Sequence, residues 1–305
     1  MPGYELIDVL VCEGAPRDLG LDQGRWCRST LAANYRAHSR LARMRWRLGR
    51  HSETNRRVAR DLRRYFPQQS EVIEGLSRGA SVPGAWLVDM IARETRQVAA
   101  NGSLAFAASS DLTDGQAVLS RSFPDDAIVR RCRPDGGFAS VELIRPWSTA
   151  PLAGINEGGL AVATIQQSGG LEAGGCAAPV ALLAHDCLSR FESIDAAVDW
   201  CLARPGAGAA TILLADTSGE IAGVHARGAE RRVFRPADGL LLQTGGHARE
   251  AEIGKALRQA SPLVASDLGK FLGMSLVALD PSGRRMGLLR ASGANGRDRW
   301  LDVKS

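Results

Sequence analysis

The feature that most constrains this chain is a change of texture across residues 99–111, AANGSLAFAASSD. Before it, apolar residues recur at helical spacing; after Ser103 they alternate as a strand requires. The helical region carries a short strand pattern from Leu6 to Cys12, a turn with paired glycines in EGAPRDLGLDQG, and an arginine-rich helical stretch from Arg17 to Arg64. Further helices are expected over Gln68 to Arg78 and Pro83 to Val98, the latter with Ser81 as its cap and Pro83 in its first turn. Beyond Ser103 short strand patterns such as QAVLSRSF, FASVELI, GLAVATIQ and ATILLAD follow one another, separated by TDG, PDGG, NEGG and DTSGE. Helical periodicity returns only over Ala178 to Arg190, Ile194 to Arg204 and Arg249 to Ala260. Strands clustered in this way, without alternating βαβ units, predict an α+β layered fold with antiparallel sheets. No Pro/Ser/Gly-rich linker separates the two textures, so residues 1–305 are expected to form one domain, with a helical segment over residues 1–102 and a β-rich segment over residues 103–305.

An apolar fraction of 45% in 305 residues is enough for a substantial core. The first residues carry acids early, with neither a basic region nor a sustained apolar run, so no secretory signal or membrane span is expected and the cytoplasm is the expected location. Six scattered cysteines form no CxxC pair and are expected to be reduced and mostly buried. The five histidines fall in no metal-binding frame, so no metal is expected. The arginine-rich helices raise nucleic-acid binding, but Glu53, Asp61, Glu71 and Glu74 interrupt the run and no stacking platform accompanies it. Neither a nucleic-acid nor a membrane partner is expected.

GAGAA at Gly206 to Ala210 follows a helix and precedes a strand, the reverse of a dinucleotide loop. The segment APLAGINEGGLAVATIQQ is more informative. Its Asn-Glu-Gly-Gly turn reads as a tight hairpin, and also as a strand end from which the Asn156 amide could donate to a developing oxyanion.

GINEGGLAVA resembles the NExGL signature of the choloylglycine hydrolase and acyl-coenzyme A:6-aminopenicillanic acid acyltransferase group of N-terminal-nucleophile hydrolases. Other segments agree in order: EGAPRDLGLDQG with its opening, ARET with the helix before its cleavage site, AATILLADTSGEIAGV with a later hairpin, and SLVALDPSGRRMGLLRASG with the closing one. The resemblance implies a four-layer αββα sandwich. It also implies a precursor that cuts itself before its nucleophile, a cysteine in that family, and the Gly102-Ser103 bond stands at the corresponding junction.

By that resemblance Ser103 is the nucleophile, Asn156 an oxyanion donor, and Arg121 with Asp125 the groups that order the new N-terminus or hold a carboxylate. A free α-amine has an unperturbed pKa of roughly 7.7–8, so a cut before Ser103 would give the hydroxyl its own general base. The substrate implied is a linear, non-peptide amide or an acyl donor, with acyl-coenzyme A compatible and no cofactor required. The chain departs from the family pattern in RSFPDD, where Arg121 is kept, Ser122 replaces Asn, and Pro124 stands at the Asp position, leaving Asp125 one residue on. It departs again at Thr244-Gly245, where the family has Thr-Asn; Gly245, Gly246 or His247 would have to supply that oxyanion contact. Two readings remain open: a self-processing serine amidohydrolase or acyltransferase, and an uncleaved ligand-binding member of the same fold.

Overall fold

The computed structural model describes residues 8–49, 52–94, 103–113, 115–122, 124, 126–167, 175–236, 238–244, 250–260, 262–263, 272–273, 275–289 and 298–304. Strand β1 (Leu10–Gly14) leads into helices α1 (Pro16–Trp26), α2 (Arg28–Ala37), α3 (Arg40–Arg47), α4 (Glu53–Tyr65), α5 (Pro67–Ala80) and α6 (Gly84–Glu94). Strands β2 (Leu104–Ala108), β3 (Val118–Ser122), β4 (Ile128–Pro134), β5 (Ser140–Ile144), β6 (Ala153–Asn156) and β7 (Ala161–Gln167) follow. Helices α7 (Leu183–Arg190) and α8 (Ile194–Ala203) interrupt the strands. The chain continues through β8 (Ala209–Ala215), β9 (Ile221–Arg227), β10 (Glu230–Phe234), β11 (Leu240–Thr244), α9 (Glu250–Gln259), β12 (Leu276–Asp280), β13 (Arg285–Leu289) and β14 (Arg299–Asp302).

The arginine-rich stretch is divided into several helices because caps and prolines punctuate it. Ser39 and Ser52 accept the Ala42 and Asn55 amides at the starts of α3 and α4, and Pro16 and Pro67 occupy the first turns of α1 and α5. Two expectations about this region are corrected. Ser81 sits at φ 58° and closes α5 in the left-handed conformation, instead of opening the next helix. The paired glycines of LGLDQG lie within α1, not in a turn. Gly20 and Gly24 face Gly75 and Gly79 of α5, and a Cβ added at Gly20 would lie 1.9 Å from the Val72 carbonyl oxygen. Glycines four apart on both helices let two backbones meet where any side chain would hold them apart.

One sheet runs β1-β4-β5-β6-β7-β8-β9-β10 and the other β11-β2-β3-β12-β13-β14. Strand β1 lies parallel to β4 with Cys12 opposite Cys132, and the remaining pairs of its sheet are antiparallel. Apolar clusters fill the spaces between the layers. Helices α2–α8 share one apolar cluster with Val162, Ile212, Leu214 and Val224 of the larger sheet. Ala105, Leu119, Val141, Ile155, Leu213 and Val277 fill the space between the sheets. Ile253 and Leu257 of α9 cover Leu104, Phe106 and Leu276 on the outer face of the smaller sheet. The fold is therefore α+β, a four-layer αββα sandwich.

Beneath α1 the larger sheet carries a buried ion pair. Arg130 donates to Glu142 through Nε at 2.9 Å and Nη2 at 2.7 Å, and both residues are 1% exposed. Arg130 also donates to Gln23 of α1, while Ser140 Oγ donates to the other Glu142 oxygen at 2.8 Å. Burial alone would raise the Glu142 pKa, but Arg130 first, then His185 and Ser140, hold it below the ordinary carboxylate value.

Candidate active site

Strand parity builds a polar site at one end of the space between the sheets. On β2, Ala105 and Ala107 point into the inter-sheet core while Leu104, Phe106 and Ala108 point toward α9. By the same period of two, Ser103 belongs to the inter-sheet face. Its neighbours are set by register: Ala105 lies opposite Arg121 of β3 on one side and Gln243 of β11 on the other. Ser103 is thus diagonal to both, at a separation of roughly 7–8 Å that a guanidinium or amide side chain can cross. The Leu104 amide donates to Ser122 Oγ at 3.0 Å, pinning the start of the strand. Ser103 Oγ itself is shielded from water and has no hydrogen-bond partner among the described residues.

The larger sheet meets this end with Gln167, Thr211 and His225, each on the parity otherwise occupied by apolar residues of the inter-sheet core. Gln167 Nε2 donates to Thr211 Oγ1 at 3.0 Å and to Gln243 Oε1 at 3.4 Å. Thr211 Oγ1 also donates to Gln243 Oε1 at 3.3 Å and lies 3.3 Å from His225 Nδ1. One polar network therefore joins the two sheets beside the strand that Ser103 begins. None of these four residues was among the sequence candidates. Their signal was a polar residue on the core-facing parity of an otherwise apolar strand, as in ATILLAD and GLLLQT.

Arg121 crosses the same space. Its Nε donates to the Thr164 carbonyl of the larger sheet at 2.9 Å and its Nη1 to the Ser122 carbonyl at 3.1 Å. Burial, reinforced by Arg145 and opposed by Asp126, lowers its pKa to about 9. It remains a cation at neutral pH, and its bonds to described residues go to carbonyls alone. A desolvated cation without a bonded carboxylate is suited to take a carboxylate or other anionic group.

Asn156, expected as an oxyanion donor, is not part of this cluster. The residue is fully buried at the end of β6, where Nδ2 donates to the Leu188 and Phe191 carbonyls at 2.8 and 2.7 Å and Oδ1 accepts the Leu160 amide at 2.9 Å. The two donated bonds fasten the hairpin turn to the end of α7, and the accepted one closes the turn itself. The seven residues of β7 then separate that turn from Gln167, a span of roughly 20 Å at strand rise. The site-facing amides are Gln167 and Gln243 instead. Gly102, Asp125, Gly245, Gly246 and His247 lie outside the described residues. All six cysteines are free thiols, and five of them are buried. Among the described residues no group of three His, Cys, Asp or Glu side chains is gathered to hold a metal ion.

No family model and no curated protein matches the chain. Among solved structures it is similar to the Caenorhabditis elegans ortholog of N-acylethanolamine-hydrolyzing acid amidase, at 15% identity and TM-score 0.47, covering 59% of this chain and 93% of that one. It is also similar to a mutant form of conjugated bile acid hydrolase from Clostridium perfringens, at 13% identity and TM-score 0.46 over 66% and 92% of the two chains. A third similarity is to penicillin V acylase from Agrobacterium tumefaciens, at 13% identity and TM-score 0.44 over 66% and 86%. The four layers themselves are defined by the chain's own sheets and helices.

Proposed function

We propose that the chain is a self-processing amidohydrolase or N-acyltransferase acting on a linear, non-peptide amide, such as an acylated amino acid or a secondary metabolite. The observation that carries this reading is the Ser103 hydroxyl. It stands at the head of a strand bonded on both sides, shielded from water, without a described partner, and beside a polar network that spans both sheets. A buried hydroxyl left unpaired is costly unless it has a task. In the precursor Ser103 Oγ attacks the Gly102 carbonyl carbon, the C–N bond breaks as the ester forms, and water then releases the carboxyl end of Gly102. The freed α-amine of Ser103 takes the hydroxyl proton as Oγ attacks a substrate carbonyl and returns it to the departing amine. Gln167 turns one Nε2 hydrogen from Gln243 Oε1, at 3.4 Å the longer of its two bonds, to the carbonyl oxygen as it gains charge, replacing the expected Asn156, and Arg121 holds an anionic group of the substrate or orders the new terminus.

A second reading, an uncleaved ligand-binding protein, is favoured by one observation: the amide expected to hold the oxyanion is consumed in a turn at the far end of the sheet. Intact-mass measurement and N-terminal sequencing of the purified chain separate the two. Processing yields fragments 1–102 and 103–305, and Ser103→Ala abolishes both the cut and the hydrolysis of acyl amides. A single species of full mass without hydrolysis selects the second reading, and an uncut chain that hydrolyses amides removes the proposed mechanism.

A further inference from the structure

Helix α3 carries apolar residues on two opposite faces. Trp46 is buried, with its ring centroid 6.1 Å from Tyr35 and 5.0 Å from His38, and Ala42 packs on the same core. On the outward side Leu41, Met44 and, at the C-cap, Leu48 are 66, 53 and 60% exposed. At 3.6 residues per turn these three fall in one stripe about 60° wide. The same helical geometry places Arg45 along one border of the stripe and Arg40 and Arg47 along the other.

The flanking sequence is basic without interruption. From Gln23 to Ser52 the sequence has eight arginines and neither aspartate nor glutamate, against a net charge of +5 for the whole chain. Arg40, Arg45 and Arg47 are exposed and pair with no described carboxylate. The charge and the stripe together limit what can cover this face. A nucleic acid would engage the arginines and leave Leu41, Met44 and Leu48 in water. A second copy of the same face would bring arginine against arginine. A bilayer with anionic headgroups satisfies both components, because apolar side chains enter the acyl boundary while the flanking cations stay among phosphates.

We propose that α3 is a membrane-surface helix, laying Leu41, Met44 and Leu48 into an anionic bilayer with Arg40, Arg45 and Arg47 against lipid phosphates. The expectation of no membrane partner rested on the lack of a spanning segment. Among the described residues no helix is long and apolar enough to cross a membrane. A helix lying in the interface needs only one apolar stripe.

The test is cosedimentation of the full chain with vesicles of mixed phosphatidylglycerol and phosphatidylcholine, compared with pure phosphatidylcholine, at about 0.1 M salt where surface charge is only partly screened. The expected result is binding to the anionic vesicles that weakens steeply as salt rises and is much weaker on neutral lipid. Combining Arg40→Gln, Arg45→Gln and Arg47→Gln lowers the partition coefficient on the order of 100-fold. Combining Leu41→Ser, Met44→Ser and Leu48→Ser lowers it at least about tenfold, from lost apolar burial. All six positions face outward, so an unchanged thermal transition and circular dichroism spectrum establish that both variants are folded. Absence of binding, equal binding to neutral lipid, or binding unaffected by either set overturns the proposal. So does a dimer that the serine set dissolves without any vesicle binding, or duplex DNA binding that the glutamine set alone abolishes.

Discussion

Replacing Glu142 with glutamine isolates the energetics of the helix-to-sheet contact. The substitution keeps the shape and one acceptor oxygen but leaves the Arg130 guanidinium buried, 1% exposed, with only neutral partners in Gln23, the new amide and the Thr149 carbonyl. Removing one partner of such a pair costs about 3–5 kcal/mol, because the remaining charge is desolvated without compensation. Against a typical domain stability of roughly 5–15 kcal/mol this is a large fraction, and at about 2–4 °C per kcal/mol it lowers Tm by about 6–20 °C. Urea unfolding of Glu142→Gln, Arg130→Met and the double variant measures it, and the double variant is expected to recover at least about 2 kcal/mol of the summed single costs. The pH dependence follows from the sign of the shift. The folded Glu142 pKa is depressed, so its contribution is complete above the unfolded value of roughly 4.3 and is lost as pH falls through the folded value. Wild type and Glu142→Gln therefore converge in stability as the solution is acidified below about pH 4. A cost under about 1 kcal/mol at neutral pH, with no convergence in acid, would refute the assignment of an ionised pair.

Two other outcomes follow from the geometry. Gly20→Ala places a methyl against the α5 backbone, so overpacking of about 1–3 kcal/mol or more outweighs the roughly 1 kcal/mol gain in helix propensity, and urea unfolding is expected to show net destabilisation. Gln167→Ala is expected to slow scission or acyl-amide hydrolysis about 10²–10³-fold with little loss of Tm, whereas Asn156→Ala lowers Tm and reduces activity only in proportion to unfolding; the reverse pattern would return the oxyanion role to Asn156.

The layered α+β class and most element positions were legible because periodicity is local. The helix expected from Ile194 to Arg204 is α8, and residues 275–289 of the expected closing hairpin form β12 and β13. What the sequence hid depends on contacts across the chain. The strand pattern before Cys12 gave no sign that β1 would lie parallel to β4, more than a hundred residues away. Gly20 and Gly24 looked like turn residues because local preference cannot distinguish a glycine that bends the chain from one that admits a neighbouring helix. Asn156 was ambiguous for the same reason: a turn amide aimed at a cleft and one aimed at a helix end share one local sequence. Gln167, Thr211, His225 and Gln243 converge only once register is known, since they come from four strands in two sheets.

The position of Ser103 also bears on whether scission there is compatible with a stable fold. Strand β2 lies between β11 and β3, so a terminus created at its head would be held by ladders on both flanks, not left to fray as on an edge strand. The segment preceding the cut has independent attachments. Strand β1 is hydrogen-bonded along β4, and Leu31, Leu62, Leu76 and Trp86 share an apolar cluster with Leu183, Leu188 and Val198 from the other side of the junction. Breaking one peptide bond removes none of these contacts, so the two pieces would stay together and the new amine would remain beside Arg121 and Gln243. A serine at the head of an edge strand, or a helical segment joined only through the cut bond, would satisfy neither condition.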